Sequence, residues 1–135
     1  MTSTIHVSTS GRGLYDITEQ VRQAVCAPRR HDALCTLFLR HTSASLLIQE
    51  NADPSARRDL EAWLDRLVPE GDPLYTHTAE GADDMPAHVK AALTATSLSI
   101  PIVDGELALG TWQGIYLWEH RRRPHRREIV VHLTE

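Results

Sequence analysis

Cysteine is scarce in this chain of 135 residues: Cys26 and Cys35 are the only two, and they do not form a C-x-x-C pair. That argues against a disulfide framework. Both read as small buried apolar residues, and Cys35, inside an apolar run, reads as an unreactive thiol. No apolar stretch is long enough for a membrane-spanning helix. The opening MTSTIHVSTS lacks the basic and apolar regions of a signal peptide, so a cytoplasmic location is the default expectation. Internal repeats, low-complexity tracts and linkers are absent, as are a P-loop, a dinucleotide fingerprint and an H-E-x-x-H metal motif. The length suits one domain, residues 1–135, around one hydrophobic core.

The formal charge of -4 is unevenly spread. Five of the 14 Lys and Arg residues crowd into HRRRPHRR (120–127), while 18 Asp and Glu are distributed over the chain. Most of the surface should therefore repel nucleic acid. Pro124 divides the arginine run between two expected strands, so a solvated hairpin loop is the better reading than a nucleic-acid patch.

Period-two alternation predicts strands at 4–8, 34–40, 44–50, 99–103, 106–109, 112–119 and 127–133. The last two should pair with each other, and Asp104-Gly105 should turn a hairpin. Ile17, Val21, Ala24 and Val25 follow Asp16 with helical spacing, a short helix capped by Asp16 or Thr18 and ending before Pro28. Asp53-Pro54 is a second helix start, with Ala56, Leu60, Trp63, Leu64 and Leu67 as its apolar stripe. A third helix is expected from Pro86 to about Thr96, with Asp83 and Asp84 near its positive end. The sum is an α+β fold, mainly an antiparallel, β-sandwich-like sheet with two or three helices.

Three histidines stand in settings that suit chemistry. His41 continues the apolar face of Cys35, Leu37 and Leu39, so its ring should point inward. His77 lies in PEGDPLYTHTAEGADDMP (69–86), a turn-rich segment longer than a compact domain keeps without a use. His88 sits near a helix start, where the dipole disfavours imidazolium. Three neutral imidazoles from separate elements would form an open metal site. On spacing alone, separate structural or surface histidines are the simpler reading; the central expectation is that the three converge. Strand parity puts Gln113, Glu119 and Arg127 at the ends of buried faces, where they need structural or ligand partners. HTSAS (41–45) and GTWQG (110–114) offer hydroxyls and backbone amides that can line a phosphate site. The candidates are thus Glu119 and Gln113 for catalysis, Arg127, Ser43 and Thr111 for an anion, and His41, His77 and His88 for a metal. Trp112, Tyr116 and Trp118 alternate along one strand, a stripe suited to packing or a subunit interface.

HTSASL (41–46), ENADP (50–54), YTH (75–77), EGADDMPAH (80–88), GTWQGIYLWEHR (110–121) and Arg126-Arg127 together resemble the YjbQ-type family, from about Leu14 to the C-terminus. The resemblance implies a homotrimer of α+β subunits with a histidine-lined pocket for a metal or an anion. Its members are often described as secondary thiamine-phosphate synthases, which join an aminopyrimidine pyrophosphate to a thiazole phosphate and expel pyrophosphate. This implies a metal-assisted enzyme acting on a phosphorylated small molecule; the alternative is a non-catalytic small-anion or metabolite binding module. Histidine ligands suit zinc first, then nickel, cobalt, manganese or iron, rather than the magnesium usual in pyrophosphate chemistry. The sequence EHR at 119–121 departs from many members, which read more like E-F-D, so His120 is given no role.

Overall fold

The computed structural model describes residues 1–26 and 31–135. In chain order these form β1 (Thr2–Thr9), β2 (Gly13–Asp16), α1 (Thr18–Val25), β3 (Ala33–Leu39), β4 (Ala44–Glu50), α2 (Pro54–Leu67), α3 (Asp84–Leu93), β5 (Ser97–Val103), β6 (Glu106–Leu107), β7 (Gln113–Glu119) and β8 (His125–Thr134). A five-stranded sheet has the order β1-β8-β3-β5-β6, and a three-stranded sheet the order β2-β7-β4, all paired antiparallel. The α+β class expected from the alternation is what the chain adopts. Among the described residues no helix is long and apolar enough to cross a membrane.

The core lies between the sheets. Alternate residues of β3 (Cys35, Leu37, Leu39), β5 (Ile100, Ile102) and β8 (Ile129, Val131, Leu133) meet Leu46 of β4 and Ile115 and Leu117 of β7. Ile17, Val21 and Val25 close one end through α1. Each such side chain contributes about 1.5–3 kcal/mol by leaving water. A second cluster joins Leu14, Tyr116 and Trp118 to Leu64 and Val68 at the end of α2, with Val89 of α3 against it. The three-stranded sheet is therefore covered on both faces, and β7 is buried continuously from Gly114 to Glu119. Asp104 (φ 52) and Gly105 (φ 84) form the tight turn between β5 and β6.

Several expectations are corrected. β7 and β8 do not pair: each is an interior strand of a different sheet and already has two neighbours. The arginine run is thus a crossing between sheets, and two of its members, Arg121 and Arg127, are buried. Cys35 is buried, and its thiol is pushed up to about 11 by burial, whereas Cys26 is exposed because it follows the last residue of α1. Asp53 caps α2 through the Ser55 N–H at 2.9 Å, as its position suggests. Asp16 accepts from the Thr18 N–H at 3.0 Å. Pro28, the expected stop, lies outside the described residues. α3 begins at Asp84, with Pro86 inside its first turn, and Asp84 belongs to the helix.

Candidate functional site

The polar residues of the interior gather where the chain leaves β7 and crosses to β8. β4 begins beside the end of β7 (Ala44 opposite Glu119), and β8 is entered a few residues later. Glu119 is fully enclosed. It accepts hydrogen bonds from Thr9 Oγ1 at 2.7 Å, Arg127 Nε at 2.8 Å and the Arg121 N–H at 3.1 Å. Arg127 Nη2 also pairs with its second oxygen. Burial pulls the Glu119 carboxyl up, but the bonds from Arg127 and Thr9 and the charge of Arg127 outweigh it and hold it below its ordinary value. In this geometry Glu119 is the internal counter-ion of Arg127. Ser43 completes the arrangement, its Oγ accepting from Arg127 Nη2 at 2.9 Å.

Arg121 fastens the long 69–83 segment to this crossing. Its Nε donates to Asp83 at 3.0 Å, Nη1 to Asp84 Oδ1 at 2.7 Å and Nη2 to the Glu80 carbonyl at 2.9 Å. The Arg122 N–H adds a bond to Asp83 at 3.0 Å. The effect is to carry His77, midway along that segment, to the first turn of α3. Asp84 and His88, four apart, share one helix face there. Ligand atoms of His77, Asp84 and His88 all lie within 4.8 Å of one another, and the two imidazole centroids are 5.3 Å apart.

Three features fit this cluster to a cation. Asp84 is only 2% exposed, and its Oδ2, although 2.7 Å from His77 Nε2, makes no hydrogen bond. A buried carboxylate oxygen needs a positive or donating neighbour, and here the neighbour is the His77 ring, close enough for the two atoms to share one cation. His88 Nδ1 lies 2.9 Å from the Thr42 carbonyl, which places the ring proton on Nδ1 and leaves Nε2 a lone pair, 3.5 Å from Asp84 Oδ1. Finally, atoms sharing a metal at about 2.0–2.2 Å must lie within about 4.4 Å of one another, so only a small adjustment of exposed His77 is needed. Two nitrogens and one carboxylate oxygen suit zinc, iron, manganese, cobalt or nickel better than magnesium.

The candidates read from sequence are thus distributed. His77 and His88 come together. His41 stands apart from the cluster: its Nε2 accepts the Glu128 N–H at 2.8 Å, and its Nδ1 lies 3.4 Å from Arg127 Nη1. Burial and the charge of Arg127 keep that ring below its ordinary pKa. His41 and His88 line one groove, with Phe38, Leu39, Ala91 and Ala92 as apolar walls. Arg127, Ser43 and Glu119 bond to one another. Gln113 and Thr111 lie at the opposite end of β7, roughly 20 Å away by strand rise, with Gln113 Oε1 accepting the Gly110 N–H at 2.8 Å. Sequence reasoning misses Asp84 and Arg121 as site residues. The signal for Asp84 is its four-residue spacing from His88, obscured by starting the helix at Pro86. His120 is buried beside Ser45 Oγ at 2.9 Å, and burial, then Lys90, push its pKa down to about 3.

A family model described as UPF0047 protein YjbQ-like matches residues 3–135. The UPF0047 protein sll1880 of Synechocystis is 52% identical over 128 residues, 95% of this chain and 87% of its own length. The UPF0047 protein YjbQ of Escherichia coli O157:H7 is 43% identical over 131 residues, 96% of this chain and 94% of its own. In three dimensions the chain is similar to the crystal structure of the conserved hypothetical protein TT1486 from Thermus thermophilus. The TM-score is 0.86 at 36% identity, covering 98% of this chain and 99% of that one.

Proposed function

This chain belongs to the YjbQ-like UPF0047 family, and from that premise we propose that it is a metal-assisted enzyme acting on a phosphorylated small molecule. The observation that carries the reading is the buried Asp84 carboxylate set against two imidazoles, with ligand atoms of all three residues within 4.8 Å of one another. The proposal keeps His77 and His88 from the sequence reading and takes Asp84 as the third ligand. A divalent cation held there would supply Lewis acidity toward a substrate phosphoryl oxygen. The protein's own part is positional. Arg121 fixes Asp84 by Oδ1 so that Oδ2 faces the site, and the Thr42 carbonyl fixes the tautomer of His88. His77, half exposed on its loop, leaves one side open to a ligand. The thiamine-phosphate synthase reaction implied by the family resemblance, with its pyrophosphate leaving group, falls within this class. We propose in addition a homotrimer, with the outer face of the five-stranded sheet as the contact surface.

The test is calorimetric titration of zinc into metal-stripped, untagged protein, followed by a screen of phosphorylated metabolites for phosphate or pyrophosphate release. One zinc per chain is expected, with affinity at least about tenfold weaker in His77→Ala, the loss of a ligand from an exposed position. Absence of zinc binding, or equal binding by His77→Ala, would sink the metal reading. Tight binding of a metabolite without turnover would replace the enzyme by a binding module.

A further inference from the structure

We propose that Arg123 and His125 form the subsite that takes the phosphate or pyrophosphate end of the substrate, next to the His77–Asp84–His88 cluster. The inference rests on the reading above and adds the anion partner that the cluster lacks. A polar cavity of about 490 Å³ lies at the crossing between the sheets, lined by Gly81, Arg121, Arg123 and His125 with Ala79 and Glu80. That volume is in the range of small-molecule sites. Arg121 lines it and also holds Asp84, so cavity and cluster share one guanidinium. Gly81 borders both this cavity and the neighbouring one that His77 lines. At φ +112 it adopts a conformation that favours glycine, and a Cβ there would stand 3.1 Å from Asp83 Oδ1. A side chain at this position would crowd the turn on which the two openings meet.

Of the five arginines of the run, Arg123 and Arg126 have no charged partner among the described residues, and only Arg123 lines the cavity. Arg127 is engaged by Glu119, Arg121 by Asp83 and Asp84, and Arg122 by Glu70. Among the described residues the Arg123 guanidinium has no partner, so its fork of donors is available to a phosphate. His125 Nδ1 lies 2.8 Å from the Arg123 carbonyl, which ties the ring to the same turn. Glu80 is the opposing charge in the lining. Glu80, Asp83 and Asp84 exceed Arg121 and Arg123 by one negative charge, and a divalent cation in the cluster reverses that balance. Anion binding is therefore stronger in the metal-loaded protein.

The experiment is titration of inorganic phosphate into the full chain, metal-stripped and zinc-loaded, for wild type, Arg123→Ala, His125→Ala and Arg122→Ala. Loss of a charge-assisted bond should weaken phosphate at least about tenfold in Arg123→Ala and measurably in His125→Ala. Arg122→Ala, whose guanidinium faces Glu70, should stay within about twofold of wild type. Zinc affinity should be the same in all four proteins. Failure of zinc to bind wild type would overturn the metal site alone. No saturable phosphate binding in either state, or equal affinities for Arg123→Ala and Arg122→Ala, would overturn the subsite.

Discussion

Arg127 and Glu119 illustrate how a charged residue can be spent on its own fold. Both are enclosed, and each satisfies the other together with Thr9 and Ser43. Removing one partner of such a pair strands the other, at a cost of about 3–5 kcal/mol. Arg127→Ala should therefore lower the urea midpoint strongly, whereas Arg122→Ala should shift it little; similar midpoints for the two would show that the pair is not closed to water. His120 makes a pH prediction. The folded ring stays neutral down to about 3, whereas the unfolded chain takes up its proton near the ordinary 6.5. The unfolded state then binds more protons across that interval. Stability owed to the buried ring is whole above about 6.5 and declines as pH falls toward 3, by several kcal/mol to order of magnitude. Glu119, with a depressed pKa, adds a further loss beginning below its ordinary 4.5. His120→Gln should flatten the stability curve between those limits relative to wild type; an unchanged slope would place the ring in contact with solvent. Single residues also show what a sequence can reveal. His77 and His88 are legible from a long turn-rich loop and a helix start. The bond that brings them together, Arg121 to Asp84, joins positions 37 apart, and nothing local marks Arg121 off from its four neighbouring arginines.

At the scale of elements, helix starts and strand alternation read well because they depend on neighbours in the chain. Asp53-Pro54 starts α2, and β4 has the bounds its apolar pattern gives. Pairing between distant strands does not follow from alternation, which is why β7 and β8 look like partners in the sequence and are not. Likewise the apolar stripe of α2 says which face is apolar, not how much of it is covered. Leu64 is 1% exposed, but Trp63 and Leu67 are 49% and 53% exposed. Leu64→Ala should cost about 2–5 kcal/mol by opening a cavity against Tyr116 and Trp118. Leu67→Ala should stay within about 1 kcal/mol of wild type. Chemical denaturation of the two variants checks this, and equal losses would mean that the whole stripe is buried.

For the whole molecule, the two sheets differ in what covers them. The three-stranded sheet has α2 and α3 residues packed on its outer face, which is why Tyr116 and Trp118 are internal and only Trp112 of that aromatic row is exposed. The row therefore cannot serve as the subunit contact that its sequence pattern suggests. The five-stranded sheet presents Leu34 and Phe38 of β3 and Val103 of β5 on its exposed side. Exposed apolar side chains on one face of a sheet are what a cyclic contact between subunits buries. The proposed trimer should have three times the 15.1 kDa mass of the chain in light scattering. Phe38→Glu, which puts a charge on that surface, should shift the mass to that of one chain without disturbing Leu37 and Leu39 on the core side of β3. A wild-type monomer at micromolar concentration would end the trimer proposal. A Phe38→Glu protein that keeps the wild-type mass would move the contact elsewhere, with the half-exposed stripe of α2 the next surface to substitute.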